Sequence, residues 1–116
     1  MVIMQADCIF CDIVLGKRSA EVIKQTGGLV VFKDIKPKAP IHLLIIPKKH
    51  VKSIIELVGE DRELVSDMVY MAKDMAEEQG LQGYRLSINV GREGGQVVDH
   101  LHLHLLGGWN TSQPDL

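Results

Sequence analysis

His100-Leu101-His102-Leu103-His104-Leu105 decides how the rest of the chain is read. Histidine and leucine alternate with period two. On a β-strand, residues two apart share a face. The three imidazoles then point one way, about 7 Å apart, and the three leucines point the other, toward a core. A helix would scatter the same residues at about 100° per residue and make no common face. One buried histidine is ordinary. Three in a row need partners for six ring nitrogens, which points to metal binding or to chemistry at a phosphate.

Just upstream lies a glycine-rich loop, Gly91-Arg92-Glu93-Gly94-Gly95-Gln96, and just downstream the strand stops at Gly107-Gly108. Glycines let backbone N–H groups approach an anion, so the loop places amide donors beside imidazoles. The preceding segment, Tyr84 to Val90, alternates as a strand, with Asn89 as an amide that could hold a phosphate or a ribose hydroxyl. Further back, Asp61 to Gln79 keeps helical spacing through Leu64, Val65, Met68, Met71, Ala72, Met75 and Ala76. Acidic residues open this helix and Gly80 ends it. Its methionines are expected in the core or at a subunit contact.

Ile41 to Ile46 is nearly all apolar, as a central strand would be, and starts with His42. Pro47-Lys48-Lys49-His50 closes it, with the two lysines expected on a solvated face. Gly27-Gly28 joins strands at Glu21–Thr26 and Leu29–Phe32 as a hairpin. Between the second and third strands, Asp34-Ile35-Lys36-Pro37-Lys38-Ala39-Pro40 breaks regular structure, because the prolines lack a ladder donor. Asp34 there could accept ribose hydroxyls or simply start the turn. At the front, Cys8 to Gly16 reads as a short helix capped by Asp7. Cys8-x-x-Cys11 has metal or redox spacing and is half a zinc site by itself. Hairpin-linked strands interleaved with helices make an α+β fold on an antiparallel sheet.

Composition excludes some classes. The 116 residues suggest one domain, and a net charge of −2 lacks the basic excess of a nucleic-acid binder. No run approaches the roughly 18 apolar residues of a membrane span, and Met1 to Asp7 has no signal-peptide pattern. Two cysteines at metal spacing, with no disulfide framework, fit a cytoplasmic setting.

Taken together, Asp34-Ile35 with Pro37, Pro40 and His42, then Ile46 to His50, Asn89, and Gly94 to Gly108 resemble the histidine-triad (HIT) nucleotide-binding family, and its Hint branch in particular. The resemblance runs from about Cys8 to Gly108. It implies a single HIT domain, a five-stranded antiparallel sheet with two helices, and two protomers pairing their sheets into one in a homodimer. It implies a purine nucleoside monophosphate ligand of AMP or GMP type and a phosphoramidase, hydrolysing nucleoside phosphoramidates or acyl adenylates through a nucleotidyl-histidine, with no catalytic cofactor. By the same resemblance His102 is the nucleophile, and His104 and the loop amides of Gly95, Gln96 and Val97 hold phosphate oxygens. Asp34 and Ile35 flank ribose and base, Asn89 supports the phosphate, and His42 belongs to the catalytic set. A structural zinc would take Cys8, Cys11, His50 and His100.

Two positions depart from the family pattern. Many members carry a hydroxyl where this chain has Val97, and the tail from Trp109 to Leu116 differs from the longer Hint tail. Two other readings of the histidines are a nucleotide-binding module with little turnover and a metallohydrolase with the triad as ligands.

Overall fold

A computed structural model describes residues 7–110. Five strands form one antiparallel sheet: β1 (Val22–Gln25), β2 (Leu29–Lys33), β3 (Ile41–Pro47), β4 (Tyr84–Ser87) and β5 (Leu103–Gly107), in spatial order β1-β2-β3-β5-β4. The central strand is β3, the most apolar one. Helix α1 (Ile9–Val14) covers one face and helix α2 (Arg62–Glu78) the other. This is the expected α+β architecture.

Cover on both faces explains the continuous apolar runs of β2 and β3. Leu29, Val31, Leu43 and Ile45 meet Met68, Met71, Ala72, Met75 and Ala76 of α2. Their neighbours Val30, Phe32, Leu44 and Ile46 meet Cys8, Phe10 and Cys11 of α1. The histidine stretch obeys the same partition. Leu101, Leu103 and Leu105 are buried on the α2 side. The three histidines therefore face α1, which makes the sheet a wall between the greasy core and the site.

Several local expectations are corrected. The last strand starts at Leu103, not His100. Leu101 N–H leaves the sheet to reach Val51 C=O at 2.7 Å, and His100 C=O is taken by a side chain. With no ladder partner beyond the Ser87–His104 pair, β4 ends at Ser87 and not at Val90. Cys8, not Asp7, caps α1, its sulfur accepting from Cys11 N–H at 3.1 Å. Nor is Lys49 merely solvated: its ammonium lies 2.8 Å from Asp61, whose side chain is buried and also accepts Val58 N–H. This pair ties the end of β3 to the start of α2. The hairpin at Gly27-Gly28 forms as expected, with Thr26 Oγ1 accepting Leu29 N–H at 3.0 Å. Of the expected irregular tail, only Trp109 and Asn110 fall within the described residues, where Arg85 sits over the Trp109 ring at 5.7 Å. No helix among the described residues is long and apolar enough to cross a membrane.

Candidate functional site

Five histidines gather on the α1 face and divide into two groups. The first is Cys8, Cys11, His50 and His100. Cys8 caps α1, Cys11 sits one turn on, His50 follows β3, and His100 precedes β5. Their ligand atoms all lie within 4.8 Å of one another. His100 Nδ1 is 3.2 Å from Cys8 Sγ, 3.5 Å from Cys11 Sγ and 3.2 Å from His50 Nδ1. His50 Nδ1 is 3.3 Å from Cys11 Sγ. A tetrahedral zinc with two N and two S ligands has edges of about 3.3 to 3.8 Å, so the spacing fits a metal ion.

The protonation state fits too. His100 Nε2 lies 2.8 Å from Pro47 C=O, so that nitrogen donates and Nδ1 turns a bare lone pair into the cluster. Burial, followed by the repulsion of His50 and His102, pushes His100 down to about 4, which keeps it neutral. Burial pushes the Cys8 thiol up to about 11, a proton that a bound cation would displace. These four residues can hold a metal.

The second group is His42, His102 and His104. His102 is buried and its Nδ1 lies 2.7 Å from His100 C=O. A carbonyl only accepts, so Nδ1 carries the proton and Nε2 carries a free lone pair. Burial lowers its basicity, while that carbonyl and the Asp34 carboxylate work the other way. The Phe10 ring packs edge-on against His102 at 5.2 Å and fixes its plane.

His42 and His104 form a chain with a defined direction. Lys38 N–H donates to His42 Nδ1 at 3.1 Å. Neutral His42 must then carry its proton on Nε2, which lies 2.9 Å from His104 Nδ1. His104 accepts there and so holds its own proton on Nε2. Burial, with the nearby His102 and His42, pushes His104 down to about 4. Asp34 Oδ2 lies 3.5 Å from His42 Nε2, and its Oδ1 accepts Lys36 N–H at 2.8 Å. Asp34, His42 and His104 also have ligand atoms within 4.8 Å of one another. Yet the His42 Nε2–H sits where a metal would need a lone pair, so these three are matched as a proton chain and mismatched as a cation site.

The glycine loop completes the site. Gly95 takes the left-handed conformation at φ 86°, and a side chain there would press on Asn89 Nδ2 at 3.3 Å. Asn89 itself braces the loop by donating to Gly94 C=O at 2.8 Å. Gln96 is only 2% exposed; its amide holds Lys52 C=O and Val98 C=O and receives Gly91 N–H. The N–H groups of Gly95 and Gln96 are engaged with Arg92 C=O and Gly91 C=O. Gln96 and Gly95 therefore frame the loop, and their own N–H groups are already spent within it. Val97 and Val98 N–H find no backbone acceptor among the described residues. Beside them a hollow of about 410 Å³ opens between the loop and α1 on the side of the Cys8–His50 group, lined by Asp7, Cys8, Ile9, His50, Lys52, Val97, Val98 and Asp99 and not by His42, His102 or His104. Ile35 and Val97 are 84% and 80% exposed.

Phe10, Lys38 N–H, Pro47 C=O and Val98 N–H escaped the reading of the sequence. Three of them act through the backbone, where residue type carries no signal. Phe10 could have been found from its place on the inner face of α1 beside the cysteines.

The family described as "Scavenger mRNA decapping enzyme C-term binding" matches residues 7–113. A HIT-like protein of Synechococcus elongatus is 38% identical over 112 residues, covering 96% of this chain and 98% of that one. Among solved structures, a HIT family hydrolase from Legionella pneumophila superposes with a TM-score of 0.89 at 45% identity, covering 93% and 98%. A histidine triad nucleotide-binding protein from Candida albicans gives 0.78 at 32%, covering 94% and 87%. A zinc-bound histidine triad family protein from Mycobacterium smegmatis gives 0.81 at 29%, covering 94% and 84%. With three histidines on one face of β5 and its approach, a glycine loop leading into them, and relatives aligned over almost its whole length, this chain belongs to the histidine-triad family and has its nucleotide-binding hydrolase fold.

Proposed function

We propose that the protein is a hydrolase of nucleoside 5′-phosphoramidates and acyl adenylates, of the Hint type, working through a nucleotidyl-His102 intermediate. The observation that carries this is the bond from His102 Nδ1 to His100 C=O at 2.7 Å. It leaves Nε2 as a nucleophile of fixed tautomer in a buried, neutral imidazole. Nε2 forms a bond to phosphorus as the bond from phosphorus to the leaving nitrogen breaks. The ring then carries positive charge, and the same carbonyl stabilises it. Val97 and Val98 N–H and His104 Nε2–H hold the non-bridging oxygens, where negative charge is greatest. The leaving amine takes its proton from water or arrives already protonated on nitrogen, since the neutral His42–His104 chain gives one only when it has first taken one up, and a further water then releases the nucleoside monophosphate from His102. Asp34 and Ile35 receive ribose and a purine base, and Asn89 keeps the loop in register.

Cys8, Cys11, His50 and His100 would hold a zinc ion, which would supply structure only, since four protein ligands leave no open position. It would join α1 to the segment after β3 and the segment before β5, which lie on either side of His102. The zinc-bound relative from M. smegmatis supports this assignment. The protein is further proposed to be a homodimer, on the strength of the family and of exposed apolar residues on edge strand β4 (Tyr84, Leu86) and on α2 (Val69, Tyr70). Sedimentation equilibrium at micromolar concentration is expected to give twice 12.9 kDa, and a single-chain mass would reject this.

The test of function is incubation with an adenosine phosphoramidate panel, with and without a chelator, followed by intact mass after rapid quench. Release of AMP with a transient adduct on His102 is expected. A second reading, a binding module with little turnover, is favoured by Val97 at the hydroxyl position. Tight AMP binding with no hydrolysis of any panel member would select it.

A further inference from the structure

The loop that presents Val97 and Val98 is held from two sides. Inside, buried Gln96 bonds Gly91, Lys52 and Val98. Outside, Arg92 reaches over the loop. Its guanidinium donates to Gln96 C=O and also grips both oxygens of Asp99, at 2.9 and 3.0 Å. The Arg92–Asp99 pair is open to solvent, at 64% and 45% exposure of the two side chains, so as an ion pair it adds little to stability. Its geometry has another consequence. In a planar trans peptide the C=O and the N–H point in opposite directions. Gln96 C=O and Val97 N–H belong to one peptide unit. With the oxygen turned out to Arg92, the Val97 N–H is turned away from it. Rotating that one plane would replace a donor by a carbonyl oxygen, which repels an anion.

We infer that Arg92 is a positioning residue for the anion site: by holding Gln96 C=O it fixes the 96–97 peptide plane so that Val97 N–H faces the phosphate. Asp99 orients the guanidinium fork for that bond. The inference rests on the reading of this loop as the phosphate site. It separates from a plain charge effect, because Arg92 as a mere cation would attract phosphate however its fork is aimed, and Asp99 would then only oppose binding.

The experiment is calorimetric titration of the full-length protein with AMP and with adenosine, for wild type and for Arg92→Gln, Arg92→Lys and Asp99→Asn. Positioning predicts that Arg92→Gln weakens AMP about 10-fold, the low end of one charge-assisted hydrogen bond. Adenosine affinity and thermal midpoint should stay close to wild type. Arg92→Lys, which keeps the charge and loses the fork, should weaken AMP by a smaller but measurable factor. Asp99→Asn, which removes a negative charge, should also weaken it. Stronger AMP binding in Asp99→Asn together with wild-type binding in Arg92→Lys would overturn the inference in favour of simple charge. An equal loss of AMP and adenosine affinity in Arg92→Gln would overturn it in favour of general damage to the fold. A wild type that binds no AMP would instead strike down the underlying reading of the loop, and this inference with it.

Discussion

The same residue type does opposite things at two places a few ångströms apart. In the Cys8–Cys11–His50–His100 group, the outer nitrogen of His100 is pinned to Pro47 C=O, so its lone pair points inward to meet sulfur and nitrogen. In the His42–His104 pair, donors and acceptors alternate from Lys38 N–H inward, so each lone pair is already met by a proton. Lone pairs that converge make a cation site. Lone pairs that alternate with protons make a hydrogen-bonded chain, and His102, outside that chain, keeps on Nε2 the lone pair that the proposed attack requires. What distinguishes the groups is the backbone atom touching each ring, since the rings themselves are alike.

The largest break in this comparison is His102→Ala. Turnover of an adenosine phosphoramidate should fall by at least ~10⁴-fold, as when a nucleophile is lost, while AMP affinity persists. Steady-state kinetics and AMP titration check both, and a variant with substantial turnover would move the nucleophile elsewhere. Next is Cys8→Ser. If the four-residue group holds zinc, wild type purified without added metal carries near one zinc per chain, and the variant loses it. The thermal midpoint should drop by roughly 10 to 20 °C, equivalent to about 3 kcal/mol in a chain of this size, with less effect on turnover per folded molecule. Full metal content in a Cys8→Ser/Cys11→Ser double variant would reject this ligand set.

Much of this was readable from the residues. The period of two in His100 to Leu105 foretold which residues face the core, and the leucines are all buried. It could not show that the ladder begins only at Leu103, because that depends on Val51 C=O, fifty positions away, drawing off Leu101 N–H. The same limit hid the Lys49–Asp61 pair, whose ammonium looked solvated until α2 brought a buried carboxylate beside it. Gln96 was legible as part of the loop but not as its inward clamp, since an amide side chain in sequence gives no sign of which carbonyls it will meet. Tautomers were the least legible of all. They follow from Lys38 N–H, Pro47 C=O and His100 C=O, groups every sequence has everywhere.

A pH profile sharpens the comparison further. Protonated His102 has no lone pair, so kcat/KM should fall on the acid side. Burial lowers its basicity, which places the midpoint below the ordinary histidine value of about 6.5. The Asp34 carboxylate favours the charged form of His42, His102 and His104 alike. Asp34→Asn should therefore shift the midpoint to still lower pH, whatever it does to KM. An upward shift or none would detach Asp34 from the histidines. Stability follows the same sign. His104 sits at about 4 when folded, below its unfolded value, so the unfolded chain binds more protons between the two. That contribution is complete above about pH 6.5 and is lost as pH falls toward 4, measurable by urea unfolding across that window.

The smallest expected effect tests how the leaving amine gets its proton. An amine leaves as a neutral molecule only if it is protonated as the P–N bond breaks. A hydroxyl at position 97 could orient or pass that proton; Val97, 80% exposed at the end of the glycine loop, can do neither. The proton must then come from the His42–His104 chain, from water or from the substrate's own nitrogen. His104, held neutral down to about 4, is a reluctant but strong acid once charged. Basic alkyl-amine leaving groups need the proton most, and acyl phosphates hardly at all. Val97→Ser should raise kcat/KM for alkyl phosphoramidates by about 10-fold, less than the ~10²-fold of a well-placed general acid, and leave an acyl adenylate nearly unchanged. A slope of rate against leaving-group basicity that flattens in Val97→Ser would tie position 97 to proton delivery. A uniform change across the series would mean that Val97 acts by shape alone, and that position 97 has no part in proton delivery.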